Sequence, residues 1–496
     1  MYSRQSISRR LRTGINWPML SRVFGWLLLI EGGFMLIPLI AAWCYNEQDT
    51  VEAFIITIIV TVSSGLLLNS IVRPRSGDLG KRESFLLTVS VWIVFSLFGM
   101  LPYLLTPDPL TISNAFIEAM SGFTTTGLST VPVGTLSHGQ MMWGCVMQWV
   151  GGLGIIIFTL AVLPMLNHSG GMQMFNAETT GITHDKLRPR VSETAKGLWL
   201  IYIALTVLLV GIIKLDSVDM YDALCITFSV VSTGGGYPLA NDLIAGSVYL
   251  KIFITLFMFL GGVNFHLLFK VANGRLTAPF KSEVFMTYVK TIVAMSVIFI
   301  LYIWVTGRWN RISALTIDPI FQIVSALSST GFIASEFRNW GPLLFTLVMC
   351  MMFVGASAGS TSGGAKIDRI IYLIKNCRNE VSRTLHPNTI RSVKLNGKIV
   401  PPELVGKVMV FLAIYVMVIG VGGVCLTAMG ICPEDAFCTA FMCISNCGCD
   451  NTAIGYGVSF DTLPAIGKWI MAFVMLIGRL ELFTVLVLFT SRFWRQ

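Results

Sequence analysis

The stretch SGFTTTGLS (121–129) decides how the rest of the chain is read. A short helical segment ends in three threonines, and a single glycine, Gly127, follows. Val231-Ser232-Thr233-Gly234, Ser328-Ser329-Thr330-Gly331 and Ser445-Asn446-Cys447-Gly448 repeat its outline. Each follows an apolar segment too short to cross a bilayer and precedes a long apolar span. Four such units predict four loops meeting around one axis, where backbone carbonyls replace the water around a cation.

Composition agrees with a membrane setting. The 496 residues are 54% hydrophobic and only 12% charged, against about 25% charged in soluble domains. The net charge of +9 does not point to nucleic acid, because the basic residues lie between spans, where topology explains them. Eleven cysteines are scattered, apart from five between Cys432 and Cys449. No CxxC pair occurs, which argues against a zinc site. An intramembrane enzyme would need a nucleophile–base pair or a metal cluster within the spans. HExxH is absent and the five histidines are dispersed, so the reading is not an enzyme.

The pattern predicts an all-α membrane protein. Four span–half-helix–span repeats stand in a pseudo-fourfold arrangement around a pore, at 84–166, 192–270, 286–376 and 402–490. A cytoplasmic N-terminus (1–22) and an extra two-helix hairpin (23–72) precede them. Residues 1–22 carry Arg4, Arg9, Arg10, Arg12 and Arg22 without an acid, and no A-x-A-like cleavage site follows. A retained first span fits better than a signal peptide. Basic residues then recur in the expected inner loops, with eight between Lys366 and Lys398 and two more, Arg492 and Arg495, in the tail. Acids such as Asp108, Asp219, Asp242 and Glu434 fall on the expected outer side, with Arg308, Arg311 and Arg338 as exceptions. This bias holds only if every loop unit enters and leaves on the same face, so both termini are expected in the cytoplasm.

Capping residues place the half-helix starts near Thr111 and Ser113, near Asp219, at Asp318-Pro319 and at Pro433-Glu434-Asp435. Ten to fifteen helical residues rise about 15–22 Å, short of the ~30 Å hydrocarbon core. Their C-terminal ends, carrying partial negative charge, then aim into the membrane and favour a cation.

The ordered set IEAMSGFTTTG (117–127), QWVGGLGIIIFTLAVLPML (148–166), GGMQMFNAE (170–178), VSTGGGYP (231–238), SSTGF (328–332), GASAGSTSGGAKI (355–367) and GRLELFTVLVLF (478–489) resembles the Trk/Ktr/HKT superfamily of potassium transporters, most closely its bacterial TrkH branch. The likeness covers almost the whole chain, and the extra N-terminal hairpin favours TrkH over KtrB. It implies potassium uptake across the bacterial inner membrane, with potassium as transported ligand and no covalent cofactor. It also implies a homodimer and a cytosolic nucleotide-binding subunit of the TrkA type.

The candidate potassium-binding residues are Thr125, Thr126, Gly127, Ser232, Thr233, Gly234, Ser329, Thr330, Gly331, Asn446, Cys447 and Gly448. Glycine lets a carbonyl point where other residues cannot turn it. The competing reading is that Thr-Gly pairs merely end helices. The fourth loop departs from the family's NVGPG-like pattern, with Cys447, Cys449 and Asp450 around Gly448. Its cysteines either pack as small apolar residues or form a disulfide such as Cys432–Cys449.

GASAGSTSGGA (355–365) breaks the span from 340. Eleven residues without a large apolar side chain must line a cavity or be buried in protein at that depth. The resemblance makes this stretch an intramembrane gate beneath the filter, with Gly355, Gly359, Ser360, Thr361, Gly363 and Gly364 as its residues; a close-packed small-residue helix contact is the alternative. It is not a phosphate loop, since Ala365 and Ile367 flank Lys366 where Gly and Ser/Thr are required. Arg479 is the only basic residue deep in the last span. The matching family arginine lies in the pore, where it repels cations; the alternative is an ion pair with Glu481 or Glu118. Lys196, Lys214, Lys251 and Lys290 sit near span ends and are read as snorkelling. A secondary transporter of another small cation or solute is the second functional reading, although such folds show paired inverted repeats.

Overall fold

A computed structural model describes residues 15–71, 80–132, 134–152, 154, 191–237, 239–309, 311–333, 340–386, 392–448, 460 and 463–495. Among the described residues the fold is all-α apart from one two-stranded hairpin, Lys394–Leu395 with Lys398–Ile399. Six described helices are long and apolar enough to cross a membrane, or eight if each of two sharply bent pairs counts as one span.

The chain opens with Trp17–Phe34 and Leu36–Cys44, followed by Gln48–Ile71. Pro38 cannot donate to the carbonyl of Phe34, which accounts for the interruption between the first two. The hairpin closes through facing glycines: a methyl on Gly25 would lie 2.8 Å from the Gly65 carbonyl oxygen, and one on Gly65 the same distance from that of Gly25. Such small-residue contacts let membrane helices approach closely.

Four short helices, Ile112–Phe123, Met220–Val231, Ile312–Leu327 and Pro433–Ser445, are the half-helices. Each packs against a helix that follows the half-helix before it. Met220–Val231 lies against His138–Gly152, Ile312–Leu327 against Val248–Gly261, and Pro433–Ser445 against Pro342–Val354. Ile112–Phe123 packs against Ala465–Leu480, at the far end of the chain, and this contact closes the ring.

Thr111 caps the first half-helix through Asn114 N, and Asp219 caps the second through Tyr221 N. Pro433 opens the fourth. The third corrects the expectation. It starts at Ile312, so Pro319 lies inside a helix of 16 residues. Asp318 is not a cap: it is buried and pairs with Lys251 Nζ at 2.7 Å. Lys251 therefore does not snorkel; it ties Val248–Gly261 to the third half-helix.

The single break expected among the long spans is also corrected. The stretch read as one span over 248–270 is two helices, Val248–Gly261 and Phe265–Ala272. Asn264 makes the break, capping the second piece through His266 N at 2.8 Å and donating to Ala358 O at 2.7 Å. The last span turns by 115° after Leu480, at Glu481, whose φ is 61°. The span read over 140–166 is described as His138–Gly152; apart from Gly154, the rest of it, and 170–178, lie outside the described residues.

Candidate functional site

The four half-helices end in one and the same way. Thr125, Thr233, Ser329 and Asn446 all adopt left-handed backbone, with φ of 54°, 56°, 55° and 47°. Their N–H groups bond three residues back, to Gly122, Val230, Ala326 and Cys443, at 2.9–3.3 Å. The next N–H in each loop bonds five residues back: Thr126 to Ser121, Gly234 to Ser229 and Thr330 to Ser325, each at 2.9 Å, and Cys447 to Met442 at 3.2 Å. This is the Schellman closure of a helix, whose left-handed position is normally glycine. Here two threonines, a serine and an asparagine occupy it, and for the threonines it is a strained choice.

That pattern resets the register between repeats. The Thr-Gly pairs do end helices, but the glycine of each pair is not the capping residue. Thr126, Gly234, Thr330 and Cys447 are equivalent, and so are Gly127, Gly235, Gly331 and Gly448. The alignment of Gly234 with Gly127 is therefore one residue off. Three consecutive glycines, Gly234 to Gly236, hid the shift.

The loops touch in ring order. A methyl on Gly127 would sit 1.9 Å from Gly234 O, one on Gly235 would sit 1.7 Å from Thr330 O, and one on Gly448 would sit 2.4 Å from Thr126 O. Backbone thus approaches backbone at these three of the four junctions, where no side chain fits. The hydroxyls look inward to their own loops: Thr124 and Thr126 share a 2.8 Å contact, Ser328 and Thr330 one of 2.7 Å, and Thr233 Oγ1 donates to Ser232 O at 2.7 Å. Asn446 bridges two elements, donating to Thr126 Oγ1 at 3.1 Å and Met475 O at 2.9 Å. Ser232 is buried at the helix end one residue before this set. Cys443 is fully buried and packs as an apolar residue, while Cys449 and Asp450 lie outside the described residues.

The glycine-rich break lies against three of these loops. It separates Pro342–Val354 from Ile367–Leu385 and is held by backbone. Ser357 N donates to Gly262 O at 3.1 Å, Thr361 N to Gly261 O at 3.3 Å, Gly364 N to Ser445 O at 2.9 Å and Ile367 N to Ala356 O at 3.0 Å. Phe265 N in turn donates to Gly359 O at 2.9 Å. Gly363 N meets Ser329 Oγ, and Thr233 Oγ1 meets Thr361 Oγ1 at 3.3 Å. Ser360 closes on Ser357 O at 2.6 Å. Gly355, Gly359 and Gly364 each have positive φ. GASAG (355–359) also spells GxSxG, but a hydrolase serine sits on a strand-to-helix turn. Ser357 follows a helix and is buried.

Arg479 joins this loop to the first repeat. Its guanidinium donates to Thr361 O at 2.9 Å, Gly151 O at 2.5 Å and Gly152 O at 2.7 Å. Gly151 and Gly152 end His138–Gly152, so the cation also meets the negative end of that helix dipole. Glu481, the suggested ion-pair partner, is engaged by Arg369, and Glu118 accepts from Ser129 and Thr130. Below the loops lies a cavity of about 740 Å³ whose lining includes Asn446, Gly363, Lys366, Gly478 and Arg479. Sequence reasoning missed the carbonyl clamp of Arg479 and the Lys251–Asp318 pair, because neither partner is near in sequence.

A family model described as TrkH, cation transport protein, matches residues 47–496. The Trk system potassium uptake protein TrkH of Escherichia coli (strain K12) is 35% identical over 487 residues, covering 96% of this chain and 99% of that protein. The TrkH of Halomonas elongata is 32% identical over 486 residues, with 96% and 99% covered. The crystal structure of the potassium transporter TrkH from Vibrio parahaemolyticus superposes with a TM-score of 0.86 at 28% identity, covering 97% of this chain and 100% of that one.

Proposed function

The chain belongs to the TrkH family of cation transport proteins, not to a family of enzymes, and on that premise we propose that it takes up potassium through a filter of backbone carbonyls. The ligands are the carbonyls of Thr125 to Gly127, Thr233 to Gly235, Ser329 to Gly331 and Asn446 to Gly448. The observation that carries this reading is the fourfold left-handed helix end. Non-glycine residues held there by identical hydrogen bonds cost ~1–2 kcal/mol each, and strain of this kind concentrates at functional sites. Turning the chain sharply at each half-helix end directs the next carbonyls toward the common centre. The half-helix dipoles add negative potential at the same place.

Residues 355–365 form the gate beneath the filter and Arg479 its electrostatic latch. The protein works as a homodimer in a bacterial inner membrane, both termini in the cytoplasm, with a TrkA-type nucleotide-binding subunit on the cytosolic side. Rubidium uptake into proteoliposomes, with sodium and potassium as competitors, tests the reading. Competition by potassium and weak competition by sodium are expected; equal competition would sink the filter, and no uptake would sink the transport reading.

A further inference from the structure

We infer that Gln148 is a positioning residue of the filter and sets its selectivity, an inference that rests on the filter reading above. Gln148 is on His138–Gly152, is 3% exposed, and stands behind the junction of the first and second loops. Its Oε1 accepts from Gly236 N at 3.4 Å. A methyl built on Gly234 would lie 2.5 Å from Gln148 Oε1, and one on Gly236 would lie 2.1 Å from Gln148 Nε2 and 2.7 Å from Gly127 Cα. The amide thus fills the space between the two loops from outside the ring.

Repeat symmetry shows that an amide is not what packing alone requires. A methyl on Gly151 or Gly478 would lie 1.9 or 2.2 Å from the carbonyl oxygen of Phe123 or Ile444, and one on Gly261 would lie 3.8 Å from that of Val231, an equivalent half-helix position, with the Thr233 side chain nearer. Three residues before each glycine stand Gln148, Met258 and Met475, and both methionines are fully buried. A buried amide costs more than a buried thioether unless its hydrogen bonds are made. The first repeat differs where its neighbour is the second loop, and the second loop has three consecutive glycines, Gly234, Gly235 and Gly236.

Glycine crosses both halves of φ space with little penalty, so the peptide between Gly235 and Gly236 is free to flip. A flip would turn an N–H toward the ion and a carbonyl away from it. Gln148 Oε1 holds the Gly236 N–H on the outer side, which leaves the Gly235 carbonyl on the opposite side of the same peptide plane. The remaining loops have Gly127-Leu128, Gly331-Phe332 and Gly448-Cys449 at these positions, where the side chain of the second residue restricts the peptide. Selectivity then depends on an acceptor at 148, while ion flow as such does not.

The test reconstitutes the full chain with Gln148→Met, with Gln148→Glu, which keeps an acceptor oxygen at the same reach, and with Gly235→Ala. The rubidium-to-sodium uptake ratio and the absolute rubidium flux are both read. Gln148→Met is expected to keep rubidium flux within about twofold and to lower the ratio about fivefold, the scale one hydrogen bond controls; Gln148→Glu should retain the ratio. If Gln148→Met does not fold, Gln148→Asn, which withdraws the acceptor by one methylene, takes its place in the comparison. An unchanged ratio in Gln148→Met beside a lowered one in Gly235→Ala overturns the inference and leaves the filter standing. A ratio equally low in Gln148→Met and Gln148→Glu overturns it as well. Ratios unchanged in all three variants remove the filter reading itself.

Discussion

Single residues with unusual backbone or burial carry the most specific expectations. Gly235 has φ of 64° and would place a methyl 1.7 Å from backbone, Thr330 O, whereas the methyl of an alanine at 234 would lie 2.5 Å from Gln148 Oε1 and cost the ratio no more than displacing that oxygen does. Gly235→Ala should therefore lower the rubidium-to-sodium ratio more than Gly234→Ala; the reverse order would restore the original register. The Lys251–Asp318 pair makes a second expectation. Both side chains are buried, so Asp318→Asn strands a charge and should cost ~3–5 kcal/mol. Thermal inactivation in detergent should come at clearly lower temperature in Asp318→Asn, and Lys251→Met with Asp318→Leu should recover most of the loss. Equal stability of the single variant and the parent would show that the pair is not desolvated. The sequence suggested neither point fully. Thr-Gly spelling locates the loops, but φ distinguishes the capping threonine from the glycine two residues later, and no spelling encodes φ.

At the scale of elements, the proposed gate loop is better anchored than its composition suggests. A run of small residues promises weak side-chain anchoring, yet backbone bonds to Gly261, Gly262 and Ser445 and the Arg479 clamp hold it to three repeats. On the proposed gating reading, opening would break that set, and Arg479 contributes both a positive charge and the link to Gly151 and Gly152. Arg479→Ala should raise rubidium flux without changing the ion ratio, and shortening 355–365 should do the same. Correctly folded variants conducting no faster than the parent would remove both assignments together. Element starts were legible where local chemistry fixes them, as at Thr111, Asp219 and Pro433. They were not legible where a tertiary contact decides. Asp318-Pro319 looks like a start but continues a helix, since Lys251 satisfies the carboxylate from another element. The break at 262–264 depends on Asn264 reaching Ala358, which is 94 residues away.

For the whole molecule, the question is how a cytosolic partner would reach the proposed filter. Ile367–Leu385 continues directly from the gate loop, and Asp368 Oδ1 accepts from Ala358 N at 3.2 Å inside that loop. Its other end leads to the β-hairpin, which Lys375 and Glu283 fasten to the helix bundle: Lys375 donates to Lys394 O at 2.7 Å and Glu283 N to Asn396 Oδ1 at 2.7 Å. A push on the exposed face of this helix would therefore reach the proposed gate along the helix itself, and one on the hairpin through its contacts with Lys375 and Glu283. Arg383 and Lys394 are exposed there, and among the described residues Arg383 pairs with Glu380 on its own helix, at 2.9 Å. Surface pairs of this kind contribute little stability, so reversing these charges should leave the fold intact. Arg391, a third basic residue of the same stretch, lies outside the described residues. Arg383→Glu with Lys394→Glu should weaken co-purification of a TrkA-type subunit, and more strongly at low salt, since exposed charges are screened within about 8 Å at physiological ionic strength. Basal rubidium flux without the subunit should stay at the parent level. Undiminished binding by the double variant would move the docking surface away from this helix, and lost basal flux would mean the charges support the gate itself.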